Sequence, residues 1–359
     1  MEYLNVSNEI SKAESILIIH QGALGDFILA LPIFEAIRRI NPEAKIYFMG
    51  YPRILELVEN RFYANKILSI DQRGMATFFV QNGSLDLTLT QFFKGFEVLV
   101  IFGKDSNSAM IKNLRKICRG RILHINSFPP WEKRIHLTDH LIEELSNYGL
   151  RPYTFYPRLY LNKEDREWAK SFLKTKGIYS EEKKELIIVH PGSGSRKKVW
   201  PIDRFLNISR FLEYSMKKKI LIILGPAEGI DIQKAFENLG LQNLIIIKGL
   251  SLIQLASIIE GCKLFIGNDS GISHMASALG VPVIAIFGPT DPRVWSPRGE
   301  NVIVLNKEIP CSPCSEERFF KCRDSDCLKM IEEGDVLKAL EKFEFELNYK
   351  NKKEEKYED

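Results

Sequence analysis

The stretch "FIGNDSGISHMASALGVPVIAIFGPTDP", residues 265–292, contains two short apolar runs, each followed directly by small and polar residues. The first run leads into Asn268 and Asp269, and the second leads into Gly288. Continuous apolar runs of this length are typical of parallel strands that are buried on both faces. Because ligands bind outside the carboxyl ends of the strands in open parallel sheets, the stretch predicts a binding site at one sheet edge.

The same alternation of strand-like and helix-like segments recurs along the whole chain. Apolar runs such as "SILIIH" and "FEVLVIF" occur in the first half, and "ELIIVH" and "KILIILG" occur in the second. Two such sets predict two doubly wound α/β domains, and 359 residues exceed the usual size of a single core. We place a first domain at residues 1–155, a second at 156–335, and a C-terminal helix with a charged, disordered tail at 336–359. The boundary follows from "LRPYTFYPRLYL", residues 150–161, which holds two prolines and lacks a helical period.

Composition and charge exclude several classes of protein. The chain is 45% hydrophobic and 27% charged with a net charge of +4, and it lacks the continuous basic stripe of a nucleic-acid binder. No run approaches the roughly 18 apolar residues of a membrane span, and no signal peptide is visible, so we expect a cytoplasmic protein. The basic run "KNLRKICRGR", residues 112–121, is more typical of a solvated face than of contact with anionic lipid or a phosphorylated acceptor.

The loop "HQGALGDFILALP", residues 20–32, is the candidate site of the first domain. Gly22 and Gly25 can take turn conformations that are closed to other residues, and they let a ligand approach the backbone. Asp26 stands where an N-cap would precede the apolar helix, and its carboxylate could accept a proton from a hydroxyl. The loop lacks the G-x-G-x-x-G spacing of a dinucleotide fingerprint. We therefore predict a functional role for Asp26 beyond helix capping.

Two strand-end loops of the second domain are suited to a nucleotide. In "HPGSGSRKKVWP", residues 190–201, Ser193 and Gly194 offer a hydroxyl and backbone amides, and Lys198 lies just before a helix. Small residues with a lysine at a helix entrance suit a diphosphate, although the Walker order is absent. Glu228 follows the next strand, where a carboxylate commonly accepts the hydroxyls of a ribose. An acid placed there for the helix dipole would look the same.

The opening stretch supplies the last candidates. Asp269 ends its strand, Ser270 and Gly271 begin a helix, and His274 lies near the first turn of that helix. A lone histidine is more often structural, but His274 together with Asp269 at one sheet edge indicates a polar ligand. The candidates predict a cleft between two sheets, with a carboxylate on one domain and a site for a diphosphate and a ribose on the other. This arrangement predicts an enzyme that uses a nucleotide sugar.

Along residues 16–336 the motifs "GALGDFILALP", "HPGSGSRKKVWP", "GPAEG", "KGLS", "NDSGISHMASALGVPVIAIFGPTDP" and "CSPC" occur in this order. Together they resemble the glycosyltransferase family 9 heptosyltransferases, which build the inner core of lipopolysaccharide. The resemblance implies a GT-B fold, with two Rossmann-like domains whose parallel sheets face an interdomain cleft. It further implies that the C-terminal domain binds the donor ADP-L-glycero-D-manno-heptose and that the N-terminal domain binds a lipid-linked oligosaccharide acceptor. Transfer in this family inverts the anomeric configuration without a catalytic metal.

Carried over to this chain, the resemblance implies that Asp26 is the base for the acceptor hydroxyl and that Lys198 binds the donor phosphates. The other implied donor contacts are Ser193 and Gly194 beside that lysine, Glu228 at the ribose, the backbone at Leu250 at the adenine, Ser270 and Gly271 at the phosphates, and Asp269 and His274 at the sugar. Ser193 and Gly194 stand where threonines can occur in the family, which leaves the exact donor open.

Four of the six cysteines, Cys311, Cys314, Cys322 and Cys327, form a C-x2-C-x7-C-x4-C pattern. This spacing is compatible with a tetrahedral zinc site, whereas disulfides are uncommon in a reducing compartment. Since the resemblance implies metal-free chemistry, a metal ion here would be structural.

Two other functions fit the same residues. One is a family 9 transferase with a different nucleotide-sugar donor or a non-lipopolysaccharide acceptor, and the other is a catalytically silent nucleotide-sugar-binding protein. Peripheral contact with the inner membrane is expected from a lipid-linked acceptor, but no amphipathic segment indicates it.

Overall fold

The computed structural model describes residues 2–226 and 228–354. The chain divides into two compact units, Met1–Arg166 with Ser251–Ala256, and Glu167–Leu250 with Ser257–Asp359. The division therefore falls later than the boundary that we placed after residue 155, and residues 251–256 belong to the first unit.

The first unit contains a five-stranded parallel sheet in the order β3-β2-β1-β4-β5. Its strands are β1 (Ser15–Ile19), β2 (Lys45–Gly50), β3 (Lys66–Ser69), β4 (Val98–Gly103) and β5 (Arg121–Asn126). The chain order reverses between β1 and β4, which is the position where open α/β sheets bind ligands. Ile16 and Ile18 of β1 are both fully buried, as is Leu17 between them, which explains the unbroken apolar run.

Helices cover this sheet, and most are short. They are α1 (Glu2–Lys12), α2 (Leu24–Leu29), α3 (Leu31–Ile40), α4 (Pro52–Leu55), α5 (Leu87–Phe93), α6 (Ala109–Ile117) and α7 (Leu137–Ser146), with 3₁₀ turns at Met75–Phe79 and Trp131–Lys133. One core cluster packs Leu17, Leu99 and Ile101 of the sheet against Phe78 and Phe93. Burial of such side chains is the main favourable term in the stability of the unit.

The second unit contains a six-stranded parallel sheet in the order β11-β10-β9-β6-β7-β8. Its strands are β6 (Ile187–His190), β7 (Ile220–Leu224), β8 (Leu244–Lys248), β9 (Leu264–Asn268), β10 (Val283–Phe287) and β11 (Val302–Asn306). The reversal lies between β6 and β9, so the loops after these two strands meet at one edge. Two doubly wound parallel sheets confirm the fold class predicted from the apolar runs.

Ten helices begin at or after residue 163 in the part of the chain that the structure describes. They are α8 (Lys163–Thr175), α9 (Ser180–Lys183), α10 (Ile202–Tyr214), α11 (Ile230–Glu237), α12 (Leu252–Ile259), α13 (Gly271–Ala278), α14 (Pro292–Trp295), α15 (Glu316–Lys321), α16 (Asp326–Lys329) and α17 (Glu333–Glu354), with a 3₁₀ turn at Arg196–Lys198. In the core of this unit, Trp200 and Phe205 pack with Leu328 and Ile331, which follow the cysteine motif.

The C-terminal charged stretch differs from the expected disordered tail. Helix α17 continues through it to Glu354, because lysine and glutamate are good helix formers. Residues 355–359 lie outside the described residues. None of the helices in the described part of the chain is both long and apolar enough to cross a membrane.

Candidate functional site

His20 follows β1 and is the buried polar residue at the edge of the first sheet. Its backbone N–H donates to the carbonyl of Met49 at 2.9 Å, which extends the sheet pairing by one residue. The imidazole lies among the rings of Phe27, Phe34 and Phe102, at centroid distances of 5.3, 6.0 and 5.2 Å. Burial lowers the pKa of His20 to about 3, so the ring is neutral at neutral pH.

Gly22 is required by close packing against His20. Its N–H donates to Nδ1 of His20 at 3.3 Å. A Cβ at Gly22 would lie 2.6 Å from His20 Cε1 and 2.9 Å from the Cβ of Asp26. The prediction that Gly22 and Gly25 adopt turn conformations was wrong, because neither has a positive φ and Gly25 lies inside α2. Space, rather than backbone freedom, selects glycine at position 22.

Asp26 is the third residue of α2, and the helix is capped by Ala23, so the prediction of Asp26 as the N-cap was wrong. Helix α2 begins earlier than its apolar face suggests, at Leu24. The carboxylate turns back, and Oδ2 accepts the N–H of Ala23 at 3.1 Å. This bond and the helix dipole both favour an acid in the first turn. Asp26 therefore has a structural role at the start of α2, and it is half-buried; its functional role stays a prediction.

A cavity of about 350 Å³ lies where the first sheet reverses its order. It is lined by Gln21 of the same loop as Asp26 and, after β4, by Lys104, Asp105 and Ser108. Polar groups at such a position suit a hydroxylated ligand. Sequence reasoning missed the segment after β4, although "GKDSNS" shows the same change from apolar to polar residues as the loops that were selected.

In the second unit, Lys198 and Asp269 form an ion pair, with Lys198 Nζ 2.8 Å from Asp269 Oδ2. The aspartate side chain is 7% exposed and the lysine side chain 27% exposed. Ser193 Oγ donates to the backbone carbonyl of Asp269 at 2.7 Å, so its single proton is already engaged. Three residues selected from two separate motifs are thus brought together at the end of β9. A nearly buried carboxylate requires such a partner.

Asn268, which sequence reasoning did not select, holds this edge together. It is fully buried, and its Oδ1 accepts the N–H of Trp200 at 3.0 Å. Its Nδ2 donates to the carbonyls of Pro191 and Gly192 at 2.8 and 3.3 Å. Asn268 therefore fixes both ends of the loop that carries Lys198. The available signal was a polar side chain at the end of the apolar run "LFIGN".

The start of α13 confirms the predicted helix beginning. Ser270 is the N-cap, and its Oγ accepts the N–H of Ser273 at 3.3 Å. Gly271 is the first helical residue, and its helix presents backbone amides at this end. His274 lies in the same turn and is buried. Part of the hydrogen-bonding capacity of Ser270 therefore serves the helix itself.

Glu228 lies in the loop after β7, and its carboxylate packs against the loop after β6. Its Oε2 accepts the N–H of Gly225 at 2.5 Å. A Cβ at Gly192 would lie 2.1 Å from Glu228 Oε1, so this glycine makes room for the carboxylate. His190, also missed from the sequence, is buried with Nδ1 2.9 Å from the carbonyl of Ile223. Burial lowers the pKa of His190, while Glu228 and the Ile223 carbonyl oppose that shift.

Gly194 and Leu250 are the remaining predicted donor contacts. Gly194 is exposed, and a Cβ there would meet no atom within 4 Å, so packing does not require glycine. Leu250 is half-buried and follows Gly249, whose φ of 73° explains the glycine in "KGLS". Both positions stay predictions as donor contacts.

The six cysteines are free thiols. Burial and the neighbouring thiols raise the pKa of Cys314, and burial and the same neighbours raise that of Cys327 to about 11. Cys314 Sγ donates to the carbonyl of Cys311 at 3.3 Å. However, no three ligating side chains in residues 2–226 and 228–354 are arranged to hold a metal ion. The structural zinc site stays a prediction.

Comparisons with known proteins agree with this architecture. Residues 126–322 match glycosyltransferase family 9 (heptosyltransferase), which is more than half of the chain. The chain is 22% identical to lipopolysaccharide heptosyltransferase 3 of Escherichia coli K12, over 89% of this chain and 94% of that protein. It is 24% identical to lipopolysaccharide heptosyltransferase 1 of Campylobacter coli, over 90% and 97%. A local match of 36% identity to lipopolysaccharide heptosyltransferase 1 of Pseudomonas aeruginosa covers only 21% of each chain.

Solved structures show the same fold. A family 9 glycosyl transferase from Veillonella parvula superimposes with a TM-score of 0.75 at 21% identity, over 93% of this chain and 98% of that one. The E. coli ADP-heptose lipopolysaccharide heptosyltransferase II superimposes with a TM-score of 0.69 at 17% identity, over 93% and 99%. The two parallel-sheet units are those of a GT-B glycosyltransferase. The chain belongs to glycosyltransferase family 9 and is a transferase enzyme.

The buried imidazole of His20 predicts a loss of stability in mild acid. The ordinary pKa of a histidine is 6.5, so below that pH His20 binds a proton in the unfolded chain. In the folded protein the pKa of His20 is about 3, and the ring stays neutral down to that pH. Between pH 7.5 and pH 5.0 this linkage removes about 2 kcal/mol from the free energy of unfolding. His20→Asn keeps an acceptor for Gly22 but cannot titrate. Urea unfolding of both proteins at both pH values should show a smaller loss in the variant, whereas equal losses would contradict this account.

Proposed function

We propose that this enzyme is an inverting heptosyltransferase, which moves a heptose from ADP-L-glycero-D-manno-heptose to an inner-core acceptor of lipopolysaccharide. The observation that carries the proposal is the Lys198–Asp269 pair beside the amino terminus of α13, at the reversal of the second sheet. A cation and helix amides at that position suit a nucleotide diphosphate. The relatives that match over most of the chain are named lipopolysaccharide heptosyltransferases, which supports transfer of a heptose to lipopolysaccharide, and the E. coli structure named for ADP-heptose supports that donor.

The second unit stabilises the leaving group in this proposal. Cleavage at the anomeric carbon creates oxocarbenium-like charge on the sugar while negative charge grows on the departing ADP. Lys198 and the α13 amides at Ser270 and Gly271 offset that growing charge. The proposed remaining donor contacts are Ser193 and Gly194 at the diphosphate, Glu228 at the ribose, the backbone at Leu250 at the adenine, and Asp269 and His274 at the sugar.

In this proposal the contacts of the Lys198–Asp269 ion pair change when the donor binds. Lys198 is neutralised by Asp269 in the described structure, so an incoming diphosphate shares the ammonium with the carboxylate. Asp269 then turns an oxygen toward the sugar hydroxyls, for which a carboxylate is a strong acceptor. This exchange couples placement of the sugar to placement of the phosphates.

Asp26 acts as the general base in this proposal. A carboxylate need only receive the proton late, after the attacking oxygen has become acidic through bond formation to the anomeric carbon. The Ala23 N–H and the packing of Gly22 on His20 hold the carboxylate in one orientation. A base in a fixed orientation loses little entropy on reaching the transition state. The cavity that has Gln21 and Lys104 in its otherwise largely apolar lining is the proposed place for the acceptor sugar.

Donor choice is tested by protection of the protein against thermal unfolding by a panel of nucleotide sugars. A ligand at one hundred times its Kd stabilises the folded state by about 2.7 kcal/mol. ADP-heptose should raise the melting temperature most, and ADP-glucose is a control with the same nucleotide. Preference for a uridine donor would instead support a family 9 transferase of different specificity.

The base is tested with Asp26→Asn, which keeps an acceptor for the Ala23 N–H but cannot take a proton. We expect kcat to fall by about 10²- to 10⁴-fold, with protection by ADP unchanged. Asp86→Asn is the matched control, because Asp86 caps α5 in the same unit through Oδ1 and the N–H of Leu89 at 2.9 Å. An unchanged kcat in Asp26→Asn would remove Asp26 from the mechanism. Absence of transfer in the wild type with ADP-heptose would support a silent binding protein.

We also propose that the first unit contacts the membrane that carries the acceptor, through a basic cavity of about 920 Å³. Five basic and two acidic side chains line it, an excess of three positive charges: Lys12, Lys94, Arg115, Arg119 and Arg121 against Glu9 and Glu97. Arg121 lies 3.8 Å from Glu9, whereas Lys94 and Arg119 have no acidic partner among the described residues. Such a surface attracts anionic headgroups by about 1 kcal/mol for each basic residue.

Sedimentation with phosphatidylglycerol vesicles tests this surface. Lys94→Glu combined with Arg119→Glu should weaken binding by about 30-fold or more, because two cations of about 1 kcal/mol each are lost. Lys170→Glu combined with Lys174→Glu changes the net charge equally on the exposed face of α8 and should bind like the wild type. Equal binding by the two double variants, or no preference for anionic over neutral vesicles, would contradict the proposal.

A further inference from the structure

The cysteine segment, residues 311–327, contacts two loops at the ligand edge of the second sheet. At the loop after β10, Ser312 Oγ donates to the carbonyl of Gly288 at 2.6 Å, and the Cys314 N–H donates to the carbonyl of Pro289 at 2.8 Å. A Cβ at Gly288 would lie 2.4 Å from Leu328 Cγ, so the chain after this segment packs tightly on the same loop. The segment is therefore attached to the loop after β10.

The second attachment is to Lys197, in the loop after β6. Lys197 Nζ donates to the carbonyls of Phe319 and Phe320, both at 2.6 Å. These carbonyls belong to the last turn of α15, where a helix leaves its acceptors unpaired. In return, Ser325 Oγ donates to the carbonyl of Lys197 at 3.2 Å. Both the side chain and the backbone of Lys197 are thus held by the cysteine segment.

Lys197 directly precedes Lys198, whose Nζ pairs with Asp269 at 2.8 Å. The two lysines share a peptide group, so fixing the carbonyl of Lys197 fixes the plane from which Lys198 begins. The ammonium of Lys197 is engaged by two carbonyls at the end of α15 and therefore does not serve the diphosphate. Two adjacent cations consequently have different roles.

We propose that Lys197 is a positioning residue, through which the cysteine segment sets the direction of Lys198 toward the donor diphosphate. The inference rests on the proposed function for the identity of the ligand, but the attachment itself does not. It also assigns a role to the cysteine motif, as the chain that joins the loop after β10 to the loop after β6. Charge stabilisation depends on placement, because a displacement of about 1 Å in a reacting group can cost 100-fold in rate.

Lys197→Met tests the proposal, since it keeps an unbranched side chain as long as the lysine stem and removes the ammonium. Hydrogen exchange of the amides at residues 195–199 should become faster, and this measurement needs no substrate. With ADP-heptose, kcat should fall by about 10- to 100-fold and donor KM should change less. Lys197→Arg should recover part of the rate, because a guanidinium can donate to both carbonyls. Ser325→Ala should act in the same direction as Lys197→Met with a smaller effect.

Lys321→Met is the matched control, because Lys321 lies on α15 but pairs with Glu317 at 2.5 Å and does not reach the loop after β6. It should match the wild type in exchange and in kcat. Equal exchange and equal kcat for Lys197→Met and this control would overturn the proposal. A raised donor KM at unchanged kcat in Lys197→Met would also overturn it, since Lys197 would then bind the donor directly. If wild-type protein fails to transfer heptose while Lys197→Met still speeds exchange, the proposed function fails and the attachment stands.

Discussion

The second unit depends on one constraint, which is that the amide of Asn268, fully removed from water at the end of β9, must be hydrogen-bonded. Asn268 meets it by binding the backbone at Trp200, Pro191 and Gly192. These bonds fix the loop in which Lys198 lies, so a requirement of folding also organises the ligand edge. Removing the amide would leave three backbone groups without partners, each at a cost of about 1–3 kcal/mol.

The first unit also buries a polar side chain at the end of a strand, but here the side chain is an imidazole. The polar residue after β1 is His20, which is kept neutral by burial among aromatic rings and accepts the N–H of Gly22. Burying a neutral imidazole among these rings costs much less free energy than burying a charged one would. The close approach of Gly22 to both His20 and Asp26 links this buried ring to the carboxylate of the proposed base. In each unit, therefore, a buried polar side chain positions the loop that carries a charged one.

Charge at the edge of the second sheet is divided between adjacent residues. Lys197 satisfies the carboxyl-terminal carbonyls of α15, and Lys198 pairs with Asp269. Only the ammonium of Lys198 can therefore be shared with a phosphate without withdrawing a hydrogen bond from the end of α15. The carboxylate of Glu228 is also fixed by its neighbours. It fits into the space left by Gly192 after β6, and it accepts the N–H of Gly225 after β7.

The sequence by itself determined the two doubly wound parallel sheets and the start of α13 at Gly271, because apolar runs and a helix cap are signals between neighbouring residues. It also selected Lys198 and Asp269 as residues at strand ends, but not that they form an ion pair. Only the tertiary structure showed the burial of Asn268, the role of Gly22 and the attachment of Lys197 to α15. The burial of Asn268 and the attachment of Lys197 depend on atoms that are distant in the chain and close in space, and no local period or spacing encodes such contacts. The role of Gly22 depends on where the His20 ring lies, and that ring packs against the distant Phe34 and Phe102. The early start of α2 at Leu24, which places Asp26 in the first turn of the helix, was likewise shown only by the structure.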